Sequence, residues 1–249
     1  MPSYLLFRLF GPMAAWGDIA VGERRHVFPQ PTKSAILGLV AGALGLRRTD
    51  EEQLAAFHDG YGFASRVDSP GLLLTDFHTA QTPPESAVRR ARGFRTRRDE
   101  LSIRRSDLET ILSFRDYHTD ALAVACLWPL ESAPYSLDQL ADALRRPVFT
   151  PYLGRRSCSP SLPFTPRVVE ASSATAALRN ATFPDDELLD LIVSDRACSY
   201  YWEGEIPSDL EPLQTIRRRD LARSRIQWQF AERTEHHAVE DKPNVPQQD

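Results

Sequence analysis

The sequence contains little lysine, little cysteine and no long apolar segment, and each shortage excludes a class of protein. Of its 30 basic residues only Lys33 and Lys242 are lysine, and the net charge is −4 at pH 7. A protein that is a polycation along its whole length is therefore excluded. The three cysteines (Cys126, Cys158, Cys198) include no CxxC pair, so we expect reduced, buried thiols and neither a disulfide framework nor a zinc site.

The apolar segments are too short to cross a membrane. The longest run, from Ala35 to Leu46, is about half of the ~20 residues that a spanning helix needs. The N-terminus lacks the charged and then apolar pattern of a signal peptide. We therefore predict a soluble, cytoplasmic protein that does not bind membranes and that carries no metal ion or other cofactor.

The arginines are clustered, which a codon bias towards arginine does not explain. Arg89–Arg105 holds eight arginines against two acids, Leu144–Val169 holds five and no acid, and Arg217–Arg225 holds five against one acid. Asp185–Glu211, by contrast, carries nine acids and one arginine. A solvated surface could carry any one of these runs, but three of them in an acidic protein indicate a polyanionic ligand.

Apolar periodicity predicts an α+β domain over residues 1–170. Thr32 suits the N-cap of the first helix, and Ser136-x-x-Gln139 forms a capping box for a later one. The order of elements is close to βαββαβ, which ferredoxin-like folds and RNA-recognition domains share. The strands and helices that give this order are Tyr4–Phe10, Pro31 to about Leu46, Gly62–Val67, Gly71–His78, Ile111–His118, Ala121–Leu130 and Ser136 to about Arg146.

Three further segments are predicted outside this pattern. Residues 80–110 are polar and rich in arginine, without helical or alternating periodicity, and a long excursion of this kind is usually functional or disordered. Residues 171–232 are expected to form a small β-rich extension. Residues 233–249 are polar, with two prolines, and are predicted to be a flexible tail.

Four motifs together resemble one known family. They are Leu9-Phe-Gly-Pro-Met-Ala-Ala-Trp-Gly17, Phe28-Pro-Gln-Pro-Thr-Lys-Ser-Ala-Ile-Leu-Gly-Leu39, Arg115-Asp-Tyr-His-Thr-Asp120 and Pro151-Tyr-Leu-Gly-Arg-Arg-Ser-Cys158. In the right order, over roughly the first 165 residues, these resemble the CasD family of the type I-E CRISPR Cascade complex, within the repeat-associated superfamily of RNA-binding proteins. Ala15 stands where the family usually has glutamine.

The resemblance implies both a shape and a function. It implies a ferredoxin-like palm that holds the repeat-derived 5′ handle of the CRISPR RNA, and a long basic insertion, the thumb, that lies over the guide. The implied partners are a CasC-type backbone subunit and a CasA-type large subunit, with target DNA engaged indirectly. The implied role is non-catalytic: capture of the handle and nucleation of the backbone in antiviral defence.

Two groups of palm residues are candidates for RNA contacts. In the loop Gly154-Arg155-Arg156-Ser157, glycine allows close backbone approach, the two guanidinium groups offer forked donors, and the hydroxyl adds another. Lys33 and Ser34 lie in the first turn of the first helix, where free N–H groups favour an anion.

Aromatic residues and the thumb complete the predicted interface. Trp16 and Tyr152 could stack on unpaired bases, although Trp16 suits a core position equally well. In the thumb, the charge suits a nucleic-acid backbone, and a disordered basic loop is the competing interpretation. Its candidate RNA and subunit contacts are Arg89, Arg90, Arg92, Arg95, Arg97 and Arg98.

An enzymatic alternative is a metal-independent endoribonuclease that cuts repeat RNA through attack by a 2′-hydroxyl. His78 and His118 each lie in an aromatic-His-Thr triplet at the end of a predicted strand, where a structural role is more common than catalysis. His26 has no orienting partner that the sequence reveals. We therefore predict no catalytic residue. An RNA-binding protein without a CRISPR role is the third possibility, and the matched motifs argue against it.

Overall fold

Most of the strands in the computed structural model lie in one sheet of seven antiparallel strands, and the fold combines helices and strands, with more strand than helix. The structure describes residues 1–17, 20, 22–184, 186–190, 197–204, 208–224, 227 and 229–241. The described strands are β1 (Ser3–Phe10), β2 (Met13–Ala14), β3 (Trp16–Gly17), β4 (Arg24–Arg25), β5 (Val27–Phe28), β6 (Tyr61–Ser69), β7 (Leu72–Thr82), β8 (Glu109–Thr119), β9 (Leu122–Pro129), β10 (Arg167–Glu170), β11 (Ala197–Glu203), β12 (Gln214–Ser224) and β13 (Gln229–Asp241). The helices are α1 (Lys33–Leu44), α2 (Glu51–Asp59), α3 (Glu85–Arg90), α4 (Arg97–Glu100), α5 (Leu137–Arg145), α6 (Ala174–Arg179) and α7 (Asp186–Asp190), with a 3-10 turn at Arg105–Asp107.

The predicted first strand is confirmed, and it is buried on both of its faces. Leu5 and Phe7 point into the core that α1 and α5 cover, whereas Tyr4 and Leu6 point into the core that α6 covers. Because helices cover both faces of the sheet, β1 is an almost continuous apolar run without polar alternation.

The strand order across the large sheet is β10-β1-β9-β6-β11-β13-β12. The first four strands of that order come from residues 1–170, and the last three come from the C-terminal part of the chain. β11 pairs with β6 between Ser199–Val67 and Trp202–Ala64. The segment that follows residue 171 therefore continues the same sheet.

The predicted flexible tail is wrong for residues 233–241. They belong to β13, which pairs with β11 on one side and β12 on the other. The sequence is misleading here because one of the buried positions is charged: Glu235 is 1% exposed and binds Arg218 and Arg233. Residues 242–249 lie outside the described part of the chain.

The helices that cover the sheet begin where their caps predict. Ser136 and Gln139 form the reciprocal capping box of α5, with distances of 3.3 Å and 2.8 Å. Thr32 is the N-cap residue of α1, although its side chain makes no capping bond. The backbone N–H of Lys33 donates instead to the Asp220 carboxylate at 2.9 Å. Helix α1 ends at Gly45, whose φ of 87° favours glycine.

The arginine-rich excursion forms the end of a long hairpin. β7 and β8 pair from Leu72–Thr119 to Thr82–Glu109, and α3, α4 and the 3-10 turn lie between them. Several apolar side chains of the hairpin stem are exposed, among them Leu72, Leu73 and Phe77. The excursion therefore begins at Leu72 rather than at residue 80. The sequence places its start too late because the apolar residues of the stem also fit the pattern of a core strand.

Two smaller predictions have the following outcomes. Cys126, Cys158 and Cys198 are buried and form no disulfide, as predicted, and burial raises the pKa of the Cys126 thiol. Within the described residues, no helix is both long and apolar enough to cross a membrane.

Candidate nucleic-acid interface

A cleft of about 2140 Å³ opens between α1, the loop after α5 and strand β12. Its described lining is strongly basic: nine arginines against a single carboxylate, that of Asp220. Such a concentration of positive charge in a protein of net charge −4 raises the local concentration of an anionic ligand. The arginines are Arg25, Arg47, Arg48, Arg155, Arg156, Arg217, Arg218, Arg219 and Arg223.

The fold brings two of the three basic sequence clusters together in this cleft. Arg155 and Arg156 come from the cluster at Leu144–Val169, and the arginines of β12 come from the cluster at Arg217–Arg225. Arg47 and Arg48 were not identified from the sequence. Their signal is a pair of basic residues that begins two positions after Gly45, the glycine that ends α1.

The loop at Gly154 is held against the N-terminal motif at Leu9–Gly17. Gly154 has a φ of 86°, and a Cβ there would lie 1.9 Å from the carbonyl oxygen of Ala15. The backbone N–H of Ala15 in turn donates to the carbonyl oxygen of Leu153 at 3.0 Å. The first and last sequence motifs therefore form one structural unit, and only glycine fits at position 154.

The two arginines of that loop have different environments. Arg155 donates to the backbone carbonyl oxygens of Asp116 at 2.8 Å and Arg25 at 3.2 Å, and its guanidinium lies 4.8 Å from the Tyr117 ring centroid. Arg156 is exposed and has no hydrogen-bond or ion-pair partner among the described residues. Arg155 therefore anchors the loop to β8, whereas Arg156 is available to a ligand.

The other predicted palm residues also differ in how accessible they are to a ligand. Tyr152 is half-buried, and both it and Ser34 line the cleft. Ser157 is exposed, but it is not part of the described lining. Trp16 is 2% exposed and belongs to the core, so stacking of a base on Trp16 is ruled out and its alternative, a core position, is correct.

Lys33 is not accessible to a ligand, contrary to the sequence prediction. Its side chain is 7% exposed, and its Nζ lies 2.6 Å from a Glu203 oxygen. The anion at the start of α1 is the Asp220 carboxylate, which also accepts two hydrogen bonds from Arg233, at 2.7 Å and 2.9 Å. Burial lowers the pKa of Arg233, but the bonds and charge of Asp220 and its neighbours outweigh burial and raise it. Lys33 therefore holds α1 against the sheet, because its charged side chain binds Glu203 of β11 and its backbone N–H binds Asp220 of β12.

A second polar cluster lies at one side of the cleft, around Asp116 of β8. Its carboxylate accepts hydrogen bonds from Thr75 Oγ1 at 2.7 Å and from Arg24 at 3.2 Å and 3.3 Å. His26 Nδ1 lies 3.1 Å from the same carboxylate. Burial raises the pKa of Asp116, but these bonds outweigh it, and the net pKa lies below its ordinary value. The inference that His26 has no orienting partner is therefore wrong.

The two histidines considered for catalysis lie outside the described lining of the cleft. His118 is buried, and burial lowers the pKa of its imidazole. His78 Nε2 lies 2.6 Å from Asp76 on the hairpin stem. Both positions fit the structural interpretation of these histidines.

The thumb arginines lie at the end of the β7–β8 hairpin and are not part of the described cleft lining. Arg89 pairs with Glu85 at 2.7 Å, and Arg97 pairs with Glu100 at 2.5 Å. All six predicted residues (Arg89, Arg90, Arg92, Arg95, Arg97 and Arg98) are exposed. The protein therefore has two separate basic surfaces, one in the cleft and one at the end of the hairpin.

Comparison with known proteins gives consistent matches. Residues 4–235 match the family model of the CRISPR-associated protein (Cas_Cas5). The CRISPR system Cascade subunit CasD of Escherichia coli is 36% identical over 185 residues, which cover 72% of this chain and 77% of that relative. A chain of a CRISPR RNA-guided surveillance complex matches with a TM-score of 0.62 and 25% identity, covering 99% of this chain and 95% of that one. A crystal structure of a Cas protein matches with a TM-score of 0.58 and 25% identity, covering 98% and 99%.

The different environments of Arg155 and Arg156 predict different effects of substitution. Arg156→Ala removes an exposed charge-assisted donor worth about 1.5–3 kcal/mol when desolvated, so affinity for single-stranded RNA should fall about tenfold or more at an unchanged melting temperature. Arg155→Ala removes an anchor of the loop and should lower the melting temperature by a few degrees, because two backbone carbonyl groups lose their donor.

The matched control is Arg146→Ala, which removes an exposed arginine outside the described cleft lining. It should change neither the affinity for single-stranded RNA nor the melting temperature. Filter binding measures the affinity of the three variants, and thermal denaturation measures their melting temperatures. Equal losses of affinity for Arg146→Ala and Arg156→Ala would contradict the assignment of the cleft.

Proposed function

Because the chain belongs to the CasD family of CRISPR-associated proteins, we propose that it is the type I-E Cascade subunit that captures the 5′ handle of the CRISPR RNA. The single observation that carries this proposal is the cleft in which nine arginines face one carboxylate. The cleft, rather than the hairpin, is where the handle binds. No residue of the chain acts chemically on the RNA.

The cleft has the two properties that single-stranded RNA requires. Its arginines supply positive charge along a groove, and aromatic side chains supply surfaces for bases, the combination found in proteins that bind single strands. The aromatic residues of the described lining are Phe28, Phe149, Tyr152 and Phe230. Such a groove binds an unpaired strand more readily than a duplex, whose bases are already stacked.

The proposed architecture is a ferredoxin-like palm with a thumb. Four strands support the palm: β1, β6, β9 and β10 alternate with α1 and α5 along the chain in the order βαββαβ. In the sheet, β1 lies between β9 and β10, and β6 is outside β9. The β7–β8 hairpin is inserted between the second and third of these strands and is the thumb.

The thumb is proposed to contact the guide RNA and the neighbouring CasC-type backbone subunit. Its stem exposes large apolar side chains, and its end carries exposed arginines, so it can bury apolar surface against a protein while its end contacts phosphates. A CasA-type large subunit is the other expected protein partner, and target DNA is engaged through the guide.

One observation favours a second candidate function, a metal-independent endoribonuclease. His26 is oriented by Asp116 through its Nδ1, its side chain is 60% exposed, and it lines the cleft. An imidazole held in this way could accept a proton from a 2′-hydroxyl. The leaving oxygen would also need an acid within hydrogen-bond reach of the same phosphate, and the other histidine of the described lining, His58, is only 2% exposed. The binding function is therefore the better supported of the two.

Co-expression tests the assignment to the complex. The chain is co-expressed with CasC-type and CasA-type subunits and a repeat-spacer RNA, and it should co-purify with all three. Replacing residues 85–107 by a short Gly/Ser linker removes the end of the hairpin and no described strand residue. The isolated variant should still bind handle RNA and melt within a few degrees of wild type, but it should no longer retain the guide within the complex.

A variant that loses handle binding in isolation would show that the hairpin, and not the cleft, captures the handle. A wild-type chain that fails to co-purify with the RNA would contradict the proposed function itself.

Incubation with labelled repeat RNA in EDTA distinguishes the two functions. Wild type should leave the RNA intact, and His26→Ala, His78→Ala and His118→Ala should be indistinguishable from it. Gel electrophoresis resolves the products. Cleavage at one position by wild type that His26→Ala abolishes would overturn the binding function in favour of the nuclease.

A further inference from the structure

One aromatic residue of the cleft is exposed where the core offers it no contact. Phe149 is 42% exposed and lines the cleft together with Arg47, Arg48 and Arg156. A single exposed apolar side chain is ordinary on a protein surface. An exposed ring within a groove lined by nine arginines is a candidate contact for nucleic acid, because the arginines attract that ligand to the groove.

The backbone fixes the position of this ring. The N–H groups of Val148 and Phe149 donate to the carbonyl oxygens of Ala43 and Gly42 at 2.9 Å and 3.3 Å. The Val148 side chain also packs on Gly45, with its methyl groups 3.1 Å and 3.3 Å from where a Cβ would lie. The segment is therefore held on the last turn of α1, so that the ring is preorganised and little conformational entropy is lost when a ligand binds.

Space beside the segment is also available. A Cβ added to Gly42, which lines the same cleft, would meet no atom within 4 Å. Gly42 therefore forms an open part of the cleft wall.

The other aromatic side chains of the cleft are less available. The Arg218 guanidinium covers Phe28, at 4.2 Å from its ring centroid, and Tyr152 is half-buried. Within the described residues, the Phe149 ring has neither an aromatic nor a guanidinium partner. Phe230, the remaining phenylalanine of the described lining, is half-buried, so the Phe149 ring is the more exposed surface on which a planar ligand group could lie.

We propose that Phe149 is a stacking platform for one unpaired base of the bound RNA and that it determines the preference of the cleft for single-stranded over duplex RNA. This inference depends on the proposed function, because it assumes that RNA occupies the cleft. The arginines bind phosphates of either form, so charge alone does not discriminate between them. A base can stack on Phe149 only when it has left its own stack, which a duplex does not allow without unpairing.

The test is a double-mutant cycle between the ring and the base. The variants are Phe149→Leu, which keeps an apolar side chain but removes the ring, and Phe149→Trp, which keeps a ring. The probes are single-stranded RNA oligonucleotides of repeat-derived sequence with one abasic nucleotide at successive positions, and a duplex of the same sequence.

Phe149→Leu should weaken binding of the intact single strand about tenfold, with an unchanged dependence on salt, and it should leave duplex binding unchanged. At one abasic position the effect of Phe149→Leu should vanish, because the base that stacks on the ring is already missing. Phe149→Trp should retain full affinity because it keeps a ring, and the unchanged duplex binding of Phe149→Leu excludes a general loss of folding in that variant.

Three outcomes would overturn the proposal. If Phe149→Leu binds like wild type while Arg156→Ala binds weakly, RNA occupies the cleft but does not stack on Phe149. If Phe149→Leu weakens association with the CasC-type subunit and not with RNA, the ring is a protein contact. If neither substitution affects RNA binding, the proposed function fails together with this inference.

Discussion

The cleft depends on one buried carboxylate, that of Asp220. It accepts a hydrogen bond from the first N–H of α1 and two from Arg233 of β13, and so it joins the N-terminal helix to the last strands of the chain. Arg217, Arg218 and Arg219 precede it directly on β12. Because Asp220 fixes that strand beside α1, these arginines line the same cleft as the loop at Gly154.

The charges around Asp220 are buried and neutralise one another. Lys33 pairs with Glu203, and Glu235 accepts hydrogen bonds from Arg218 and Arg233. Removing one partner from such a network leaves an uncompensated buried charge, which costs several kcal/mol. The network therefore stabilises the shape of the cleft, whereas Arg47 and Arg156, which are exposed and lie outside the network, can bind a ligand.

Sequence patterns predicted correctly those elements whose structure depends on residues nearby in the sequence. The apolar run at Tyr4–Phe10 and the capping box at Ser136 each depend on residues within a few positions, and each was identified correctly. Lys33 was misjudged because its partner, Glu203, is 170 residues away in the sequence. His26 was misjudged for the same reason, since Asp116 lies 90 residues further along the chain.

The division between the two basic surfaces also could not be read from the sequence. All three arginine clusters suggest a polyanion, and only the fold shows that two of them meet in the cleft while the third lies at the end of the hairpin. On this separation rests the proposal that the cleft captures the handle and that the hairpin makes the contacts within the complex. The salt dependence of binding to an RNA that carries the handle sequence alone tests that assignment most directly.

Each phosphate contact to a single strand contributes about 0.7 to the slope of log affinity against log salt concentration. Replacing Arg47, Arg156 and Arg219 by glutamine should make this slope less steep by about 2, whereas replacing Arg90, Arg92 and Arg98 should leave it unchanged. A slope that flattens for the hairpin variant and not for the cleft variant would contradict the central claim.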